Sequence, residues 1–218
     1  MTPPDEAPDP AQDAALAQFA ARVAHDFNNL LTAILGNLEL LQLRAARQNC
    51  AGLDGYLAGA SSAGGRAVAL AGRLMAFSGC NAGPAVPVLA DAVLSRFADQ
   101  ADCRPGAQGA MVLCGPDQLE LAIAELVENG RAAGGQVTLS STATAENVTI
   151  TVRDTGHGMA PGILRRAREP FFTTSGSATG HGLGLSIVGR VIGGLGGAMN
   201  IDSAPNQGCT VTLRLPRS

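Results

Sequence analysis

Apolar residues recur every three or four positions in the N-terminal part of the chain. They fall at Leu16, Phe19, Val23, Phe27, Leu30, Ile34, Leu38 and Leu41. This spacing is typical of one face of an α-helix and predicts a first helix from about Asp13 to Arg47. A second stripe of the same spacing predicts a second long helix over residues 53–77, which would run antiparallel to the first.

These two helices would bury little area by themselves, because alanine occupies many positions of the second stripe. We therefore expect two copies of the chain to pair as a four-helix bundle, which makes the protein a homodimer. An alternative stays open, in which the hairpin remains within one chain and rests on the second domain.

The C-terminal part follows the pattern of an α/β domain over residues 87–218, after a glycine-containing linker at residues 80–86. Helices are expected over residues 88–99, 117–133 and 185–195. Strands are expected over residues 111–114, 136–141, 148–152, 199–203 and 210–215. A glycine-rich irregular segment runs from residue 156 to residue 184. The chain is therefore predicted to be α+β, with a two-helix hairpin of residues 13–79 followed by a mixed sheet covered on one face by helices.

Composition narrows the function classes. The chain has 218 residues, 46% of them hydrophobic, and a net charge of −3, so no basic surface favours nucleic acid. Its five cysteines show no CxxC spacing, which favours a reduced, cytoplasmic compartment. Residues 1–12 are acidic and proline-rich, which predicts a disordered tail. No apolar run approaches the roughly 20 residues that cross a bilayer, so we expect no membrane insertion.

His25 lies two residues from both Val23 and Phe27, about 200° round the helix from the apolar stripe, and should face outward. The next residue, Asp26, could hold one imidazole nitrogen and make the other a better nucleophile. Asn29 lies one turn further on the same face, where its amide could orient a water molecule. These residues favour a nucleophilic histidine over an ordinary surface histidine.

Two motifs suit a nucleotide base and a metal ion. Glu125 and Asn129 share one face of a predicted helix and offer oxygen ligands suited to Mg²⁺. Asp154-Thr-Gly156-His-Gly158 ends a predicted strand, where the carboxylate can accept a hydrogen bond from an exocyclic amine. The glycines let the chain turn tightly beside a flat base.

Two further motifs lie at the other end of the glycine-rich segment. Gly180, Gly182 and Gly184 precede a helix, where free backbone N–H groups and the helix dipole favour phosphate. Phe171 and Phe172 are adjacent aromatics in a chain with only 3% aromatic residues. Each motif alone is weak evidence, and the order of all of them carries the interpretation.

The four motifs follow a predicted helix that contains His25-Asp26-Phe27-Asn28-Asn29. This order of motifs resembles the core of sensor histidine kinases, in the subclass often found in hybrid kinases. The C-terminal motifs resemble those of the GHKL ATP-binding superfamily. The resemblance implies a Bergerat-type α/β sandwich with an ATP lid, which binds ATP and Mg²⁺. It also implies a two-component histidine kinase that passes its phosphoryl group to an aspartate of a response-regulator receiver domain.

The resemblance also implies a role for each residue. His25 is the phosphoryl acceptor, Asp26 assists its attack, and Asn29 positions water for phosphatase activity toward the partner. Asn129 holds Mg²⁺. Asp154 binds the adenine amine, and Gly156 and Gly158 form the turn that binds the base. The phosphates are bound by Gly180, Gly182 and Gly184, and the ATP lid is anchored by Phe171 and Phe172.

Departures from the family pattern keep two alternatives open. Glu125 stands where close relatives often have asparagine and resembles the hydrolytic glutamate of GHKL ATPases. Ala132 replaces a charged residue and Ser175 a lysine, so one phosphate-binding cation is missing. Candidate replacements are Arg131, Arg165, Arg166 and Arg168. One alternative is a histidine phosphotransferase or phosphatase module with a weak or vestigial nucleotide domain, and the other is an ATPase or serine kinase of the wider superfamily.

Overall fold

The computed structural model describes residues 27, 31–32, 34–43, 45, 47, 53–77, 84–115, 117–174 and 182–218. The chain divides into two compact units, residues 1–80 and residues 81–218. The predicted tail and four of the predicted functional residues lie outside the described residues: His25, Asp26, Asn29 and Gly180. In the described part of the chain, no helix is long and apolar enough to cross a membrane.

The N-terminal unit contains two antiparallel helices. Residues 34–43 are helical, and the second helix, α1, spans Asp54–Phe77. Gln42 Nε2 donates to Ser61 Oγ at 3.5 Å, and a methyl group on Gly64 would lie 2.6 Å from Leu35 Cδ2. Leu35 of the first helix thus faces Gly64 of α1, whereas Gln42, further along the first helix, faces the earlier Ser61. The two helices are therefore antiparallel, as in the predicted hairpin.

The described residues of the C-terminal unit form seven strands. They are β1 (Val86–Leu89), β2 (Asp102–Arg104), β3 (Met111–Cys114), β4 (Val137–Ala143), β5 (Asn147–Asp154), β6 (Ala198–Ser203) and β7 (Cys209–Pro216). Five of them form one sheet in the order β2-β4-β5-β7-β6, and β1 pairs with β3 separately. Because β2 is parallel to β4 and the other pairs are antiparallel, the predicted mixed sheet is confirmed.

The same described residues also form four helices: α2 (Ala90–Ser95), α3 (Gln118–Ala132), α4 (Pro161–Arg166) and α5 (Gly184–Gly194). Strand β5 alternates, with Val148, Ile150 and Val152 buried under the helices. Their partners on β7 are Leu215, Leu213 and Val211, which are also buried. The opposite face carries half-exposed threonines such as Thr149 and Thr151. The period of two therefore buries one face and solvates the other.

One predicted helix is corrected, and three short elements were not expected: β1, β2 and α4. The helix expected over residues 88–99 is wrong at both ends, because β1 extends to Leu89 and α2 spans only Ala90–Ser95. Pro87 disfavours helical backbone at Val86, and β1 finds an antiparallel partner in β3. Strand β2 was not expected, and α4 lies in the segment expected to be irregular. Its Pro161 occupies the first turn, where a missing N–H is tolerated.

Candidate functional site

Asp154 is the last residue of β5, and its carboxylate is held by two backbone N–H groups. Its side chain is buried, and Oδ1 accepts from Gly156 N at 2.9 Å and from Cys209 N at 3.2 Å. Asp154 and Cys209 are direct partners in the β5–β7 ladder. Among the described residues no hydrogen-bond donor reaches Oδ2, so this oxygen can accept from a ligand.

The turn after Asp154 is clamped by the loop between β6 and β7. Gly158 has φ +64°, and a methyl group there would lie 1.9 Å from Ala204 O. Met159 N donates to Ser203 Oγ at 2.9 Å, and Asn206 N donates to His157 O at 2.7 Å. The turn is therefore fixed in shape by contacts that only glycine at position 158 permits.

Helix α3 lies directly against the end of β5. A methyl group on Gly130 would lie 2.8 Å from Val137 Cγ2 and 3.0 Å from Asp154 Cβ. Asn129, the residue before Gly130, is therefore held at the same end of the sheet as Asp154. The sequence motif that contains Asn129 and the one that contains Asp154 form one site.

The glycines before α5 lie against α3. A methyl group on Gly184 would lie 2.9 Å from Glu125 Oε2 and 3.0 Å from Asn129 Nδ2. Glu125 is 6% exposed, whereas Asn129 is exposed. The absence of a side chain at Gly184 thus lets the start of α5 come close to both polar side chains.

The two phenylalanines are joined to the same loop. Phe171 N donates to Gly182 O at 2.8 Å, and both residues have positive φ, +65° and +66°. A methyl group on Gly182 would lie 2.5 Å from the carbonyl carbon of Phe171. Phe171 is 60% exposed, while Phe172 is half-buried with the Arg166 guanidinium 4.1 Å from its ring centroid.

The structure therefore brings together every described residue that the sequence assigned to nucleotide and metal binding. These are Glu125, Asn129, Asp154, Gly156, Gly158, Phe171, Phe172, Gly182 and Gly184. Sequence reasoning missed Gly130, Ser203 and Cys209. No local motif marks them, since Cys209 reaches Asp154 only through a strand pairing 55 residues apart.

The Cys209 thiol lies next to the Asp154 carboxylate. Burial raises its pKa to about 11, the negative charges of Asp154 and Asp202 add to the rise, and a hydrogen bond with Ser203 opposes it. The thiol therefore stays protonated near pH 7 and lacks the thiolate that nucleophilic or redox chemistry requires.

Glu125 and Asn129 fit a magnesium ion. Their side chains converge on Gly184 and offer one carboxylate and one amide oxygen. Mg²⁺ is usually held by one or two such protein ligands, with water and substrate phosphates completing its octahedron. Among the described residues, no group of three or more His, Cys, Asp or Glu could form a metal site made of protein ligands alone.

Comparison with known proteins agrees with this site. Residues 114–218 match the family described as histidine kinase-, DNA gyrase B-, and HSP90-like ATPase. This segment is similar to the ATPase domains of that family, and it contains all nine of the described nucleotide-site residues named above.

Curated relatives of the chain are sensor kinases. Sensor kinase CckA of Brucella abortus is 32% identical over 93% of this chain, and sensor histidine kinase ZraS of Salmonella typhimurium is 39% identical over 46%. The alignments cover 24% and 22% of those relatives, so the chain spans about a quarter of their length.

Solved structures share the fold. Full-length ShkA in complex with AMPPNP has a TM-score of 0.75 at 23% identity, covering 92% of this chain and 46% of ShkA. The ATP-binding domain of PrrB from Mycobacterium tuberculosis has a TM-score of 0.51 at 25% identity, covering 62% of this chain and 99% of that domain. The C-terminal unit thus has the fold of histidine kinase catalytic domains, as predicted.

Proposed function

We propose that the chain is an ATP-dependent protein histidine kinase of a two-component system, located in the cytoplasm. The observation that carries the proposal is the convergence of three groups within residues 114–218, the segment similar to ATPase domains. These groups are the Asp154 carboxylate, the Glu125–Asn129 pair and the Gly182–Gly184 loop. The chain that contains this site also contains the predicted His25-Asp26-Asn29 helix face. Sensor kinase CckA of Brucella abortus aligns with 93% of this chain, which includes both parts.

The side chains divide the work of ATP binding. Asp154 Oδ2 accepts a hydrogen bond from the exocyclic amine of adenine, and the turn through Gly156 and Gly158 leaves room for the base. Backbone N–H groups of Gly182 and Gly184 bind the phosphates at the start of α5, and the sequence predicts the same role for Gly180. Bound Mg²⁺, held by Glu125 and Asn129, would offset the charge that develops on the phosphate oxygens.

Phosphoryl transfer then needs an acceptor and a base. An imidazole nitrogen of His25 attacks the γ-phosphorus, the bond to the β–γ bridging oxygen breaks, and ADP leaves. Asp26 holds the other ring nitrogen and stabilises the positive charge on the ring. The phosphoryl group next passes to an aspartate oxygen of a receiver domain. Asn29 orients water for hydrolysis of that aspartyl phosphate.

Incubation with Mg²⁺ and γ-labelled ATP, followed by acid and base treatment, tests the proposal. We expect a label that is acid-labile and base-stable, and that is absent from His25→Ala although this variant still binds ATP. Asn29→Ala should label normally and lose phosphatase activity. An acid-stable label that persists in His25→Ala would contradict the proposal and favour a serine kinase.

Exposed apolar side chains of the N-terminal unit support a homodimer. Phe27, Ile34 and Leu41 follow one another at intervals of seven residues and are 57%, 51% and 53% exposed. This is the spacing of one seam in a helical bundle, and a second copy would bury it. We infer that the seam forms the core of a dimeric four-helix bundle.

A second apolar surface supports docking of the receiver. Leu40 and Leu43 are also exposed and lie about 220° and 160° round the helix from Phe27, away from the seam. Counted back along the predicted helix, His25 falls at about 160° as well. We propose that Leu40 and Leu43 contact the receiver domain while it accepts the phosphoryl group.

A matched pair of variants separates the two surfaces. Ile34→Glu should convert the dimer to a monomer in sedimentation analysis, because a charge in a buried seam is not solvated. Leu43→Glu should remain dimeric and autophosphorylate, but transfer more slowly to a receiver. The opposite pattern would exchange the two assignments.

ATP hydrolysis is a second candidate function. Glu125 is 6% exposed and lies beside Asn129, where a buried carboxylate could take a proton from water that attacks the γ-phosphorus. Steady phosphate release that survives in His25→Ala and is lost in Glu125→Gln would favour this function.

A further inference from the structure

A strained turn follows α4. Phe172 N donates to Glu169 O at 3.3 Å, which closes a four-residue turn with Pro170 and Phe171 at its centre. Phe171 has φ +65°, the sign that the third position of a type II turn requires and that glycine normally supplies. A phenylalanine in this conformation persists only when its surroundings hold it there.

Arg166 supplies part of that support. Its Nε donates to Glu169 Oε2 at 2.8 Å, and its guanidinium lies 4.1 Å from the centroid of the Phe172 ring. The planar guanidinium of arginine can hold a carboxylate and cover an aromatic face at the same time. Arg166 therefore ties the first residue of the turn to the last.

This turn sets the position of the phosphate-binding loop, which contains Gly182 and Gly184. Phe171 N donates to Gly182 O at 2.8 Å, and a methyl group on Gly182 would lie 2.6 Å from Phe172 O. Two residues later, Gly184 lies against the side chains of Glu125 and Asn129. A shift of the turn would therefore move Gly182 and Gly184 away from these two polar groups.

We propose that Arg166 is a positioning residue for the phosphate-binding loop. The inference rests on the proposed nucleotide site. Arg166 acts through Glu169 and Phe172, fixes the turn that holds Gly182, and makes no contact with the nucleotide itself.

The neighbouring arginines provide the comparison. Arg168 Nη2 donates to Met199 O of β6 at 2.5 Å, so it is tied to the sheet edge. Arg165 is exposed and makes no hydrogen bond or ion pair within the part of the chain that the structure describes. If positive charge alone attracted ATP, removing Arg165 or Arg166 would have the same effect.

Binding of ATP and of adenosine to the full chain, by calorimetry with Mg²⁺ present, tests the proposal. Arg166→Ala should weaken ATP binding about threefold to tenfold, the range expected for losing one exposed cation–π contact and one ion pair. Adenosine affinity should stay within about twofold, because the base end of the site does not involve Arg166. Arg165→Ala should bind both ligands like the wild type.

Equal losses in Arg165→Ala and Arg166→Ala would overturn the proposal in favour of general charge attraction. Equal losses of ATP and adenosine affinity in Arg166→Ala would also overturn it, because they would indicate damage to the whole fold. Arg166→Lys keeps the charge but not the planar group, so wild-type ATP binding by this variant would contradict the role given to the guanidinium. Wild-type protein that binds neither ligand would refute the proposed function itself.

A double-mutant cycle tests the route through Phe172. After Phe172→Leu, the further change Arg166→Ala should weaken ATP binding less than it does in the wild-type background. Strictly additive losses would show that Arg166 acts by another path. Melting temperatures of all variants serve as the control for folding.

Discussion

Replacing Gly158 by alanine tests whether the turn beside Asp154 depends on close backbone approach. The added methyl group would lie 1.9 Å from Ala204 O, and φ at this position is +64°. Gly109 is the matched control, since its φ is +80° and nothing lies within 4 Å of an added methyl group. The comparison separates the steric contact from the backbone conformation.

The expected magnitudes follow from these two terms. A non-glycine residue at positive φ costs about 1–2 kcal/mol, and alanine recovers about 0.4–1 kcal/mol by restricting the unfolded chain. Gly109→Ala should therefore lower the free energy of unfolding by about 1 kcal/mol. Gly158→Ala must also displace the β6–β7 loop, and overpacking of this kind adds about 1–3 kcal/mol.

Denaturant unfolding and ATP titration of both variants provide the assay. Gly158→Ala should be less stable than Gly109→Ala by at least about 1 kcal/mol and should bind ATP weakly or not at all, while Gly109→Ala binds normally. If the two variants were equally stable and bound ATP equally well, the contact with Ala204 would be irrelevant to the site and the reasoning would fail.

Three further changes are informative. Asp154→Asn should keep the fold, because its amide oxygen can still accept from Cys209 N. It should weaken ATP binding about tenfold, because an NH₂ donor replaces the free acceptor Oδ2. Unchanged ATP affinity would mean that adenine binds elsewhere. The buried Ser141 hydroxyl accepts from Gly106 N and donates to the Asp91 carboxylate, so Ser141→Ala should lower the free energy of unfolding by about 1–3 kcal/mol. Urea unfolding measures this loss, and the exposed Thr142→Ala, with an expected loss of about 0.5 kcal/mol, is its control. Folding raises the pKa of Cys209 from 9.0 to about 11, so the stability of the wild type relative to Cys209→Ala should fall as the pH rises between these two values. Below pH 9.0, iodoacetamide should label the folded thiol slowly.

Periodicity was enough to predict the elements that carry the core. Strand β5 alternates clearly at Val148, Ile150 and Val152, and helix α3 is long enough for its stripe to be unambiguous. Short elements lack such a signal. Strand β2 has three residues, Asp102–Arg104, and exists because it pairs with β4, so only the tertiary structure defines it.

The site was predictable where chemistry is local in sequence. Asp154 with its two glycines, and Glu125 with Asn129 one turn apart, are recognisable from residue types and spacing. The supporting contacts are not local. Cys209 reaches Asp154 through strand pairing, and Arg166 reaches Phe172 through a turn whose conformation no residue pattern announces.

The two ends of the site differ in how firmly they are built, and this has a kinetic consequence. Asp154 is anchored at the base end by hydrogen bonds from the turn that follows it and from strand β7, whereas Gly182 is tied to Phe171 by one hydrogen bond in a turn supported by exposed side chains. The group that recognises the purine is therefore held more firmly than the loop that binds the phosphates. We expect adenosine and ATP to associate at similar rates and to differ mainly in residence time.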